Sequence, residues 1–421
     1  MKGIMFSLVT MVLAGTILSV IIFYSISISR HREIIGTEVR VREMYSLYKS
    51  ILRDWDKEVK MIAFPRAISS AISYVITNGI GLDEADKRLE ELVINGSLFG
   101  KKEVLLEGTT IPEWIEKIKL LSMERGFIVE ISLLSYGVKP FDSWNLLFEA
   151  NLSINITEKD GIASLNKIVE KSNLISIIGF EDPIYPLNTL GRATNIITKS
   201  PYSANFTSLL ASGAHGNYSF YGPTLITSRD YVGSINENKS IILVIDDVSG
   251  VKSLIEQKFG GVICECEENF SIPFVSGVNN ATKILPNNTK LLINERKVWY
   301  IENLKDHLRN SFYITSNKGG SFLDRLEGKL EVQEKYRSKS ENVIGLESLV
   351  NKVYLKSLDL PISGEKSNVD HLYFSEVSHT AKPVKGFYLE GFGYELRMDS
   401  ELCGDLSHAE IYQVNEILEE T

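Results

Sequence analysis

Cys264 and Cys266 stand one residue apart in "ICECEENF", with Glu265, Glu267 and Glu268 beside them. Thiolates and carboxylates at that density could hold a metal ion. A zinc site takes four ligands, however, usually in spaced pairs, and no second pair follows. On a strand, residues 264 and 266 share one face, so they read as buried thiols or a local disulfide, with Cys403 left over. The six histidines (His31, His215, His307, His371, His379 and His408) are dispersed, and none forms an H-E-x-x-H pair. Small residues surround His215 in "LASGAHGNYSFYG", close to Ser212 and Ser219, but a nucleophile elbow needs a strand–turn–helix context that is missing. "GGSFLDRLEG" lacks the Lys-Ser/Thr of a phosphate cradle and reads as the start of a helix or strand. In "GFEDPIYPLNT", Glu181 and Asp182 could bind a cation, but Asp-Pro and Tyr-Pro read as turn punctuation. The expectation is no catalytic residue, no cofactor and no metal.

One stretch carries the outline of a chemical domain without its chemistry. "SIILVIDDVSG", "FGGVICE" and "SIPFVSGV" read as short strands, "NATKILP" as a helical turn, and "TKLLINERKVWYIENL" as two more strands. The residues Gly260, Gly261, Val262, Ile263, Ile272, Pro273, Phe274, Val275, Gly277, Asn280, Ala281, Thr282 and Leu285 are similar to the swivelling phosphohistidine domain of phosphoenolpyruvate-utilising enzymes. That resemblance implies a β/β/α fold over residues 240–300. The family's Thr-Ser-His element and helix are missing between Ile263 and Ile272, so phosphotransfer is not implied.

The elements around these residues speak of location. From Ile4 to Ser29 no residue is charged, and about 20 apolar residues at 1.5 Å each span a bilayer core. The run is longer than a secretory leader's apolar region, and "SISISRHR" is a poor cleavage site, so the segment is expected to stay in the mature chain. Lys2 lies on one flank and Arg30 and Arg32 on the other, so basic residues do not orient it. The downstream chain carries an excess of N-x-S/T sequons, at Asn95, Asn151, Asn155, Asn205, Asn217, Asn238, Asn269, Asn280 and Asn287, which favours an exported body. Net charge is -9 with no basic face, which argues against nucleic acid as a partner.

Beyond the apolar run, Val41, Met44, Tyr48, Ile51, Trp55, Val59 and Ile62 form one stripe of a helix reaching Ala63, and Pro65 marks a break or a new start. A second stripe, Ile68, Ala71, Ile72, Val75 and Ile76, ends at Asn78-Gly79. Lys2-Gly3 ahead of the apolar run resembles the class III leader of archaeal pilins, which implies cleavage between Gly3 and Ile4. The Phe first and Glu fifth of bacterial pilins are replaced by Ile4 and Leu8. "IIGFEDPIYPLNT" and "ENVIGLESLVN" resemble a family of archaeal membrane-anchored envelope proteins. That resemblance implies location and no activity.

Two helices follow, in "LDEADKRLEELVINGS" with Asp83 as N-cap and in "TTIPEWIEKIKLLSMERG" with Thr110 as N-cap. Three strands then form an antiparallel meander, with Asn151, Ser153 and Asn155 on its solvated face. In the C-terminal part, "EGKLEVQEKYRSKSEN" reads as exposed. Leu346, Leu349, Val350, Val353 and Leu358 read as a helix ending near Pro361. "HLYFSEVSH" and "KGFYLEGFGYELRMD" read as strands, and "AEIYQVNEILEE" as a strand or short helix. The fold class is therefore α+β. It is organised as an anchor (1–29), membrane-proximal helices (30–81), a pilin-like head (82–182), a swivelling-like domain (183–305) and a mixed C-terminal region (306–421). The functional expectation is a non-enzymatic, single-pass, extracellular envelope glycoprotein. Its partners would be lipid through residues 4–29 and other envelope or pilin-like proteins. A surface module for a small ligand or glycan and a tethered hydrolase stand as alternatives.

Overall fold

The computed structural model describes residues 2–161, 163–202, 206–209, 262–264, 274–276, 291–294, 297–377, 381–388, 395–399, 407–415 and 418. It is α+β, with an apolar N-terminal helix and small antiparallel sheets. Two compact units are present. The first holds residues 1–73, 83–139 and 145–176; the second holds 74–82, 140–144 and 177–421.

In the first unit, helix α1 (Lys2–Lys57) passes through a π-helical turn (Glu58–Ala63) into α2 (Phe64–Asn78). Pro65 is a new start and not a break. Its missing N–H falls where the wider turn already disrupts the α-helical ladder. Among the described residues, two stretches are long and apolar enough to cross a membrane, Val9–Ile28 and Thr37–Asn78. The first has none of its surface buried, and the second is half buried as a core helix. The expected stripe is the buried one: Met44, Ile51, Trp55 and Val59 are buried, joined by Leu47, while Val41 is exposed.

Helix α3 (Ala85–Asn95) stops at Gly96, whose φ of 62° suits a residue without Cβ. Its N-cap position is Glu84 and not Asp83, with no side-chain cap hydrogen bond, and the Asp83 carboxylate pairs with Arg88 at 2.8 Å. A two-stranded ribbon follows, β1 (Ser97–Leu98) with β2 (Lys101–Lys102). Helix α4 (Ile111–Glu124) begins at the capping box of Thr110 and Glu113, with Pro112 in its first turn. Strands β3 (Phe127–Asp142), β4 (Asn145–Glu158) and β5 (Ser164–Ser176) form the expected meander, with Asn145 opposite Ser176 and Thr157 opposite Ser164. Leu152, Ile154 and Ile156 on β4 face the core, which leaves Asn151, Ser153 and Asn155 half-buried on the other face.

In the second unit, α5 (Ile184–Asn188) follows Asp182. Strands β6 (Thr207–Leu209), β9 (Leu291–Asn294) and β10 (Lys297–Tyr300) form one sheet, and β7 (Val262–Cys264) pairs with β8 (Phe274–Ser276). β7, β8, β9 and β10 fall where strands were expected, but Ile301–Leu304 of the last expected run is helical, β6 was not foreseen, and residues 240–250 lie outside the described residues. The other residues of the swivelling-like resemblance, Gly260, Gly261, Ile272, Pro273, Gly277, Asn280, Ala281, Thr282 and Leu285, lie outside the described residues.

Helix α6 (Ile301–Arg309) leads to β11 (Tyr313–Ser321), which pairs antiparallel with β12 (Gly345–Ser348). Between them lie α7 (Phe322–Leu326) and α8 (Glu334–Arg337). The latter sits in a stretch expected to be exposed, yet its Tyr336 is fully buried. Beyond β12 come α9 (Lys352–Ser357), α10 (Asp370–Phe374), β13 (Ala381–Tyr388), β14 (Glu395–Asp399) and α11 (His408–Ile411).

Two expectations are corrected here. Residues 346–358 are not one helix. Every residue of β12 is buried and paired, and the short α9 starts only at the Asn351 cap. "HLYF" is helical, because Val369 pairs with Leu349 and the chain then turns into α10. Both are cases of tertiary pairing overriding a local pattern.

The β11–β12 ladder carries a bulge, since Gly345 pairs with both Ser316 and Ser321. A Cβ on Gly345 would collide with the Gly319 and Ser316 carbonyl oxygens. Gly345→Ala is expected to cost about 2–3 kcal/mol by overpacking against backbone that cannot yield. A fall in the urea midpoint of the second unit, with faster amide exchange in β11 and β12, checks it.

Lys352 gives a pH signature in the same unit. It is 2% exposed, and its Nζ donates to the carbonyls of Lys366 at 2.6 Å and Gly364 at 3.2 Å. Burial, and then the charge of Arg397, lower its pKa to about 7. The folded pKa lies below the unfolded one, so between pH 7 and about 10.4 the unfolded chain binds the extra proton and stability rises with pH. The penalty is complete below pH 7 and gone above about 10.4. The unfolding free energy read from urea melts should therefore rise from pH 7 to 9, by roughly 2 kcal/mol, and Lys352→Met should remove that slope.

Candidate metal centre

Three side chains remote in sequence converge in the second unit. Glu347 lies in β12, opposite Ile314 of β11. His371 is the second residue of α10, and His408 is the first of α11, behind a Ser407–Glu410 capping box. Asp399 ends β14. Leu349, Leu372, Met398 and Ala409, each within two residues of one of these four, belong to an apolar core cluster with Phe206, Leu304 and Tyr412. The polar groups are therefore held at the margin of a hydrophobic core.

The two imidazoles approach through Nε2, 3.1 Å apart. Glu347 Oε2 lies 3.4 Å from His408 Nε2 and 3.9 Å from His371 Nε2. Exposure is 0% for Glu347, 2% for His371 and 1% for His408. On its far side, His408 Nδ1 meets Asp399 Oδ2 at 2.9 Å, which fixes the ring and directs Nε2 inward. Both Glu347 oxygens, His371 Nδ1, Asp399 Oδ1 and the Tyr412 hydroxyl are buried without a hydrogen bond. A carboxylate buried with neither oxygen hydrogen-bonded is costly.

Electrostatics divide the two histidines. Burial, reinforced by the positive field of His408, pushes His371 down to about 3. Burial would also lower His408, but the Glu347 and Asp399 carboxylates outweigh it and bring it up to about 10. Burial acts to raise Glu347, yet His408 holds its carboxyl below the usual range. The arrangement offers two ring nitrogens and a carboxylate oxygen, all within 4.8 Å of one another, so one cation can touch all three.

A second buried network holds two of these residues in place. Arg325, fully buried on α7, donates through Nη1 to Asp182 Oδ2 at 2.5 Å and to Asp370 Oδ2 at 3.0 Å. Its Nη2 donates to the Leu346 carbonyl and its Nε to the Gly320 carbonyl. Asp370 Oδ2 also accepts from the Ser348 amide and hydroxyl, and Asp182 Oδ2 accepts from the Tyr313 hydroxyl at 2.7 Å. Arg325 thus grips Leu346 and Asp370, the residues immediately before Glu347 and His371.

The residues singled out from the sequence fare differently. The chain does turn here as it leaves β5, with the Ile184 amide donating to Asp182 Oδ1, but Asp182 is also the buried partner of Arg325. Glu181 forms an isolated bridge with Ile196. His307 is buried, with Nδ1 3.0 Å from Ser200 Oγ, and burial brings it down to about 4. Cys264 stands in β7 opposite Phe274. Cys266, Cys403, His215, His379, Ser212 and Ser219 lie outside the described residues. Gly3 and Ile4 lie within α1. Among the sequons, Asn95 is exposed at the end of α3, and Asn151 donates to Ser135 Oγ at 2.9 Å across the sheet. Asn205, Asn217, Asn238, Asn269, Asn280 and Asn287 lie outside the described residues. No family model, curated protein or solved structure matches the chain.

Proposed function

We propose that the chain is a single-pass, exported envelope glycoprotein of pilin-like plan, which acts through assembly and surface contact and performs no catalysis. Helix α1 is the observation that carries this reading. Its Val9–Ile28 stretch is uncharged and wholly exposed, as a segment made for lipid or for the same segment of neighbouring chains must be. The same helix, without interruption, then buries Met44, Leu47, Ile51 and Trp55 in a head built on the β3–β4–β5 meander. A greasy rod continuous with the spine of an α+β head is the plan of a pilin subunit. Asn95 is exposed, and Asn151 and Asn155 are half-buried on the face of the meander opposite its core, which is compatible with sugar at these sequons.

The test has two arms. The mature chain is sequenced from its N-terminus after expression beside a class III leader peptidase, and a start at Ile4 is the expected result. Intact cells are treated with protease, and the released peptides are weighed for sugar on Asn95, Asn151 and Asn155. An unprocessed Met1 would reduce the reading to a plain anchor. A body protected inside the cell and free of glycan would overturn it.

A further inference from the structure

The proposal that follows stands apart from the envelope reading and survives its failure. We propose that Glu347, His371 and His408 bind one divalent first-row transition-metal ion, zinc being the best fit, as a closed structural site that staples β12, α10 and α11 together.

Geometry is the first support. Metal bonds of about 2.0–2.1 Å in a tetrahedron place ligand atoms about 3.3 Å apart. The three ligand-to-ligand distances here are 3.1, 3.4 and 3.9 Å. A central ion requires side-chain adjustments of a few tenths of an ångström and no backbone rearrangement.

The unpartnered atoms are the second support, and they are independent of the first. Neither buried oxygen of Glu347 has a hydrogen bond of normal geometry, its nearest cationic partner is His408 Nε2 at 3.4 Å, and no Lys or Arg pairs with it among the described residues. A hydrogen bond between the two Nε2 atoms would occupy both and leave Glu347 with only the charge contact to His408 at 3.4 Å. An ion between the three satisfies all of them.

The surroundings supply the rest. His408 turns its other nitrogen to Asp399, the carboxylate–imidazole–metal relay that orients ligands in metal sites. The buried Tyr412 hydroxyl has no hydrogen bond of normal geometry and feels the Glu347 charge. Two imidazoles and one carboxylate suit zinc and its neighbours and disfavour magnesium and calcium, which require oxygen ligands. With all three ligand residues at 2% exposure or less, the site is closed to substrate and is structural. The residues joined are 24 and 37 positions apart, so the ion cross-links a long stretch of a chain that has only three cysteines.

The experiment uses the full-length chain in detergent micelles, stripped with a chelator and titrated with Zn2+ against a chromophoric competitor. The expected result is one equivalent bound with Kd below about 1 µM and a higher unfolding temperature for the second unit. His371→Gln and Glu347→Gln should each weaken binding at least 100-fold, and Asp399→Asn, which alters a positioning residue only, by about 10–100-fold. Cys264→Ser with Cys266→Ser should leave stoichiometry and affinity unchanged. X-ray absorption of the zinc-loaded wild type, which does not depend on any variant folding, should show two imidazoles, oxygen and no sulfur. Absence of stoichiometric binding, sulfur in the first shell, or undiminished affinity in a folded His371→Gln chain would each overturn the proposal.

Discussion

Arg325→Met is expected to lower the stability of the second unit by about 3–5 kcal/mol, the usual loss when one side of a buried ion pair is removed. Arg325 has no exposed surface, and neither have Asp182 and Asp370, the two carboxylates that share its Nη1. Burial acts to lower its pKa, but Asp182 and then Asp370 outweigh that and hold it above the ordinary arginine value. Methionine fills much of the volume but leaves two carboxylates facing each other in a dry interior, and the Leu346 and Gly320 carbonyls without their donor. Burial already pushes Asp182 above the carboxylate range in spite of Arg325. Without the guanidinium, protonation is the least costly escape, so the variant should lose most stability at neutral pH and less as pH falls. Adding Asp182→Asn and Asp370→Asn should recover much of the loss, because a neutral buried cluster needs no counter-ion. Urea unfolding and amide exchange of the peptides holding Leu346 and Asp370 read the effect. A single variant within about 0.5 kcal/mol of wild type would show that the buried pair contributes nothing, against the usual cost of stranding a buried charge.

The second large effect belongs to the first unit. Trp55→Ala should cost about 3–5 kcal/mol, the range for truncating a buried aromatic. The indole has no exposed surface, lies edge-on to Trp114 with centroids 5.5 Å apart, and stacks on Phe148 at 6.2 Å. Its Nε1 donates to Asn173 Oδ1 at 3.0 Å, and the Asn173 amide in turn donates to Asp56. Truncation therefore opens a cavity between α1 and the meander and also leaves the Asn173 oxygen without its donor. Trp55→Phe separates the two contributions. It keeps most of the packing and should cost only about 1–3 kcal/mol for the bare acceptor. Loss of amide protection in β4 and β5, with the second unit unaffected, is the expected pattern.

What could be read along the chain and what could not divides by the distance over which a residue finds its partner. The α1 stripe, the Thr110–Glu113 cap of α4 and the meander depend on neighbours within a few residues or across one turn, and all three were legible. Leu346, Leu349, Val350 and Val353 mimic a helical stripe, but Gly345–Ser348 belongs to β11, some 30 residues upstream, and strand pairing overrode the spacing. The metal candidate left still less to read. Glu347, His371 and His408 share no local spacing, and only the return of the chain through β14 to α11 brings the last of them back. The one local trace was "SHAE", a capping box that announces a helix start and fixes where His408 begins. Asp182 was legible only in part: Asp-Pro is turn chemistry, but nothing nearby foretold an arginine 143 positions away.

The unbroken course of α1 sets a distance. From Ile28, in the uncharged run that ends at Ser29, to Met44, buried in the first unit, the helix advances 16 residues, or about 24 Å at 1.5 Å each. Were Val9–Ile28 seated in a bilayer, that collar would act as a ruler between the lipid and Met44. Removing four residues from it would shorten the helix by about 6 Å and turn the stretch beyond it by about 40° relative to Val9–Ile28.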